Sequence, residues 1–202
     1  MACSKIGYSS LRGNKVILQI FMGGEVVMKR AKNDATLSKI GDVYQHYIAL
    51  LDCFGMKQGD KLQIEVNGDI SKIGNANTSS FQKEVKHHAS NTNLSDRDID
   101  FWKTLKNWVC DFERTNSFSE LVLFTTADIA EDSVFFNWNK KTISEKYGII
   151  KAIGDVNKAR EDVFRGLYNE IEAKRDIEYL KWIFQMNSFH IQYRITSPYF
   201  VY

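Results

Sequence analysis

Two acids and a lysine are the residues of this chain best placed to do chemistry: Asp69 in the run Glu65-Val66-Asn67-Gly68-Asp69-Ile70, and Glu84 and Lys86 in Gln82-Lys83-Glu84-Val85-Lys86. Residues two apart on a strand share a face, so Glu84 and Lys86 project together, with Gln82 beside them. If Asp69 opens the neighbouring strand, two carboxylates and an ammonium gather at one sheet edge. Such a set suits a hard divalent cation: Mg2+, with Mn2+ as a substitute, takes one or two carboxylates plus water and substrate phosphate. Asp69, Glu84 and the Val85 carbonyl would supply the protein's share. Lys86 would then lie beside the attacking water, to orient it or help deprotonate it, and to stabilise charge developing on phosphorus. The competing reading is that Gln82, Glu84 and Lys86 are the solvated face of an edge strand, an ordinary composition there.

These residues need elements to hold them. Residues 61–66, KLQIEV, and 81–87, FQKEVKH, alternate as strands, and Asn67-Gly68 breaks the first just before Asp69. A Gly, Asn, Thr and Ser loop over 74–80 separates them. Upstream, Ile40, Val43, Tyr44, Tyr47, Leu51 and Phe54 recur at helical spacing, which predicts a helix over 41–54 with Ser38 as cap and Gly55 as stop. Downstream, Ser95-x-x-Asp98 has the form of a capping box. Ile99, Trp102, Leu105, Val109 and Phe112 then mark a buried stripe on a helix over 97–114. Residues 120–126, ELVLFTT, read as a buried strand, and Phe101, Trp102, Leu105 and Phe112 are expected to be buried, Trp102 beneath the sheet of these three strands. Helices fill Ser144 to Phe184, interrupted near Gly154. A strand, FHIQYRI, and an apolar tail, Tyr199-Phe200-Val201-Tyr202, close the chain, and the tail suits a subunit contact. Before all of these, residues 15–22 and 26–28 read as a hairpin turned at Gly23-Gly24. The expected divisions are an N-terminal hairpin extension over 1–35, a core over 36–150, and a helical extension with terminal strand over 151–202.

The composition suits a globular α/β chain: of 202 residues, 44% are hydrophobic and 26% charged. A net charge of +2 supplies no bulk attraction to nucleic acid or membrane, so any charged partner must be met by a local patch. One Pro and 12 Gly leave no visible flexible hinge. Cys3, Cys53 and Cys110 form no CxxC pair, which agrees with a reducing, cytoplasmic setting, and no apolar run approaches the length of a membrane span. His87 and His88 are strand neighbours and face opposite ways, which excludes joint ligation of one metal. Trp102, Trp108, Trp138 and Trp182 suit packing better than base stacking. Lys103 and Lys106, with His88 and Asn91 to Asn93, fit the flank of a phosphate track and a charged solvated face equally well.

In this order, Gly41-x-x-Tyr44-Gln45 on a helix, Glu65-x-x-x-Asp69-Ile70, Glu84-x-Lys86, Asp100-Phe101-Trp102-Lys103-Thr104-Leu105 and the Leu121–Thr126 strand resemble a known domain. It is the double-stranded-DNA nuclease domain at the N-terminus of bacterial anti-phage effectors, including nucleotide-activated CBASS nucleases and Lamassu-type nuclease subunits, of the PD-(D/E)xK restriction-endonuclease-like superfamily. The resemblance spans about residues 38–150. It implies a restriction-endonuclease-like mixed sheet flanked by helices. It also implies Asp69 as the metal-binding acid, Glu84 as the second acid, Lys86 as the catalytic lysine and Gln45 as a helix residue facing the site. No Pro precedes Asp69, and Glu65 stands as the alternative first acid. The activity implied is metal-dependent hydrolysis of duplex DNA by a homo-oligomer or a subunit of a multi-protein defence complex, with no membrane. The rivals are a non-catalytic nuclease-like subunit that binds DNA or a partner protein, and a nuclease that cuts RNA.

Overall fold

The computed structural model describes residues 15–20, 24–29, 36–88, 92–156, 162–174, 180, 184 and 188–193. The chain divides into two units, Met1–Lys39 and Ile40–Tyr202. In the first, β1 (Lys15–Ile20) and β2 (Gly24–Lys29) pair antiparallel, Lys15 opposite Lys29 and Ile20 opposite Gly24. The hairpin forms as expected, with its second strand extended beyond 26–28.

Helix α1 runs Thr36–Phe54, so Ser38 lies inside it and is not its cap. The second unit is built on a five-stranded mixed sheet. Strands β3 (Lys61–Ile64), β4 (Ile70–Ile73) and β5 (Phe81–Lys86) form an antiparallel meander, and β6 (Glu120–Thr125) and β7 (Ser188–Tyr193) continue it in parallel, in the order β3-β4-β5-β6-β7. The two parallel joins require crossovers. The first carries α2 (Ile99–Cys110) and α3 (Phe112–Thr115); the second carries α4 (Ile143–Asp155) and α5 (Asp162–Lys174). The architecture is therefore α/β, a mixed sheet flanked by helices, and the terminal strand belongs to the same sheet as the core.

Alternation along the strands divides the core between the two faces. Ile70, Phe81, Val85 and Phe124 meet Ile48 and Ala49 of α1. Leu121, Leu123, Phe189 and Ile191 meet α2 and α5 on the other face. Phe101 and Trp108 reach the sheet at Phe189, with ring centroids 6.0 and 5.2 Å away. Trp102 is buried but turns instead to Phe164 and Tyr168 of α5, at 4.9 and 5.8 Å. It shares the core cluster with Leu121 and Leu123 of the sheet, and its edge-on contacts with α5 are a long-range partnership that the spacing within α2 does not encode.

Local chemistry also moves some boundaries. The cap of α2 is Asp98, whose carboxylate accepts from the Asp100 and Phe101 N–H groups at 3.0 Å, rather than Ser95. The helix predicted over 97–114 stops at Cys110, and Asp111, at φ −109°, separates it from α3. Strand β3 ends at Ile64 because Glu65 takes a left-handed conformation, φ 61°. Trp182 and the tail 199–202 lie outside the described residues.

Candidate active site

The turn Glu65–Asp69 and strand β5 build the site. Beyond Ile70 opposite Lys83, the antiparallel β4–β5 register brings Asp69 level with Glu84, just where the ladder ends. Freed from strand pairing, the Asp69 carboxylate takes up the Val85 N–H, with Oδ2 2.7 Å from the nitrogen. The N–H and C=O of one strand residue point the same way, so the Val85 carbonyl also faces the Asp69 side, while the Lys86 carbonyl accepts from Thr126 N–H at 3.1 Å on the β6 side. The Asp69 carbonyl is held twice, by Glu65 N–H at 3.0 Å and by Gln45 Nε2 at 2.8 Å. Gln45 is buried on α1 and also donates to Glu65 Oε1 at 3.2 Å.

Gly68 is the residue this turn cannot exchange. At φ 77°, a Cβ there would lie 2.6 Å from Gln82 Nε2 and 2.7 Å from Glu84 Oε1, so the turn's backbone rests on those two side chains. The arrangement leaves Glu84 8% exposed and Gln82 4% exposed. The solvated-edge reading of Gln82, Glu84 and Lys86 fails for this reason: β5 is the central strand of the sheet.

Lys86 joins the two acids. Its Nζ donates to Glu84 Oε2 at 3.1 Å and lies 3.6 Å from Asp69 Oδ2. Burial, and then repulsion from Asp69, raise the Glu84 pKa above its ordinary value despite the ammonium. For Lys86, burial works against the charge, but the Glu84 and Asp69 carboxylates outweigh it and hold the pKa above the usual lysine value. Asp100, on the first turn of α2, adds to that attraction. The result is two acids sharing one ammonium.

Asp69, Glu84, Val85 and Lys86 thus come together, and Gln45 reaches the site through the Asp69 backbone. The Glu65 carboxylate is taken by Gln45, away from Lys86. Among the described residues no group of three or more His, Cys, Asp or Glu side chains is arranged to hold a metal ion; the oxygens gathered here are those of two acidic side chains, with the Val85 carbonyl on the Asp69 side. Those atoms fit Mg2+ in kind: hard oxygens, one of them on a partly exposed acid.

Other candidates fall away from the site. His87 packs against Tyr44 of α1, centroids 4.8 Å apart, while the His88 N–H donates to Thr126 Oγ1 at 2.7 Å. Trp102, Trp108 and Trp138 are buried. Lys106 pairs with Glu170 at 3.6 Å. Sequence reasoning missed Gly68 and Asp100; the Asn67-Gly68 pair signalled a turn, but only coordinates show what the glycine rests on. No protein-family model, curated protein or solved structure matches this chain. Among the described residues, no helix is long and apolar enough to cross a membrane.

Proposed function

We propose that the chain is a metal-dependent endonuclease domain with a PD-(D/E)xK-type site, acting on double-stranded DNA as an effector of bacterial anti-phage defence. The observation that carries this reading is the single Lys86 ammonium in contact with both the Asp69 and Glu84 carboxylates at the end of the β4–β5 ladder. The substrate and the defence role rest on the sequence resemblance, which the five-stranded mixed sheet accommodates.

Asp69, Glu84 and the Val85 carbonyl would hold Mg2+, which when bound supplies Lewis-acid polarisation of the phosphate and a lowered pKa for attacking water. The chain's own residues supply the rest. The Val85 N–H and Gln45 fix Asp69 in place, so its carboxylate need not reorganise during the reaction. Lys86, whose Nζ lies 3.1 Å from Glu84 Oε2 and 3.6 Å from Asp69 Oδ2, would present its positive charge to the phosphoryl oxygens, where negative charge grows in the transition state, and would orient the attacking water beside the two acids.

The test is nicking of supercoiled plasmid by the purified full chain in Mg2+. The wild type and Glu65→Ala are expected to nick, and Asp69→Ala is not. The Asp69→Ala chain loses one hydrogen bond to Val85 N–H, about 1 kcal/mol, and stays folded. Cleavage retained in Asp69→Ala and lost in Glu65→Ala would move the first acid. A wild type that cuts RNA alone, or binds DNA and cuts nothing, would replace the reading with one of its rivals.

A further inference from the structure

Helix α1 buries one face on the sheet, through Gln45, Ile48 and Ala49, yet its opposite face is not polar. Ile40, Val43, Leu50, Leu51 and Phe54 are 40, 70, 54, 45 and 81% exposed, five large apolar side chains on one helix. With half-buried Tyr47, the positions 40, 43, 47, 50 and 54 step by 3, 4, 3 and 4 residues. That is the spacing of a helix-on-helix seam, two apolar positions per heptad, and differs from the broader stripe a helix lays on a sheet.

We infer that this stripe is a self-association surface, and that two copies of the chain pair through α1 as antiparallel helices about a two-fold axis. Three features favour a second copy over other occupants. The stripe extends seven residues to either side of Tyr47, so an antiparallel copy centred there sets Ile40 against Phe54 and Val43 against Leu51, each a pair of exposed apolar side chains, and the two-fold axis repeats both contacts. Its flanks hold Tyr44, His46, Leu51, Cys53 and, at one end, Lys39; antiparallel pairing about Tyr47 keeps the two Lys39 ammoniums at opposite ends of the contact, so two copies meet without like-charge repulsion, and one lysine is not the basic rim that a lipid surface would call for. The exposed side chains offer on the order of 500 Å2 per copy, so pairing removes at most about 1,000 Å2 from water, the lower end of what a weak, reversible dimer buries. Antiparallel pairing also opposes the two helix dipoles, each positive N-terminal end beside the partner helix's negative C-terminal end.

The inference is independent of the nuclease reading, since a monomer can nick DNA and a dimer can be inert. Light scattering on the full chain at about 50 µM, well above the micromolar Kd that a contact of this size supports, should give twice the chain mass. Val43→Glu and Leu50→Glu each place a charge in the seam and should weaken association at least about 100-fold, giving monomers. Val163→Glu, on the exposed face of α5, should leave the dimer intact. All three positions are exposed, and circular dichroism should show unchanged helicity. A monomeric wild type at that concentration, or a dimer that survives both seam substitutions, would overturn the inference.

Discussion

At the scale of single residues, the site is defined by how its charges are balanced. Glu84 is squeezed between burial and Asp69, and one lysine does not offset both. The consequence for stability has a definite sign. A carboxylate whose folded pKa lies above its unfolded value contributes stability that is full below the unfolded pKa, near 4.5, and that is lost as pH rises through the folded one. In chelator, Glu84→Gln should therefore gain on the wild type between about pH 4 and pH 7, because the amide cannot ionise. Thermal melts of the two chains across that range read the difference directly. A gap that stays constant with pH would show that Glu84 ionises without strain. Gln45 shows what sequence reading can reach here. The resemblance implied Gln45 as a helix residue facing the site, and its amide donates to the main-chain carbonyl of Asp69.

At the scale of elements, the placement of the site depends on α1 and β5 being tied together on the face opposite the acids. Lys83 projects from β5 away from Glu84, its side chain 5% exposed, and both Asp52 carboxylate oxygens lie 2.7 Å from its Nζ. Removing one partner of such a pair strands a buried charge. Asp52→Ala should destabilise the fold by roughly 3 kcal/mol, and the Asp52→Leu/Lys83→Met double variant should recover much of it, because the stranded ammonium is gone. Denaturant titration decides; equal loss in both variants would assign the effect to packing. This pair was not legible in the sequence, since thirty-one residues separate its members and neither belongs to a motif. What was legible is local. Alternation in 81–87 assigned the two faces of β5 correctly, and the apolar stripe of 99–112 located α2 and its buried residues. The errors also have local causes. A hydroxyl in capping-box position at Ser95 competed with a carboxylate at Asp98 that caps better, and a left-handed Glu65 shortened β3 without a glycine to announce it. Gly154 lies in the last turn of α4, and a Cβ there would lie 1.8 Å from the Tyr168 ring, so α4 and α5 approach closely at a residue without a side chain.

At the scale of the whole molecule, one site hydrolyses one strand, so a duplex break asks for two sites. Pairing through α1 supplies them, and the two properties can be separated. Val43→Glu should nick supercoiled plasmid at close to the wild-type rate yet produce several-fold less linear product, since Val43 lies on the exposed face of α1 and contacts none of the acids. Equal linear product from the monomeric variant would uncouple pairing from duplex cleavage. The central claim, that Lys86 works in the transition state at a two-carboxylate site, is tested most directly by Lys86→Ala measured two ways on the same preparation. Mobility shift in Ca2+, which suppresses turnover, should show DNA bound within about threefold of wild type, because affinity is spread over many phosphate contacts. Nicking in Mg2+ should fall by at least about 100-fold, because the lost charge acts only where charge develops. Nicking at the wild-type rate would contradict the account outright, and parallel loss of binding and cleavage in a folded variant would make Lys86 a phosphate anchor instead.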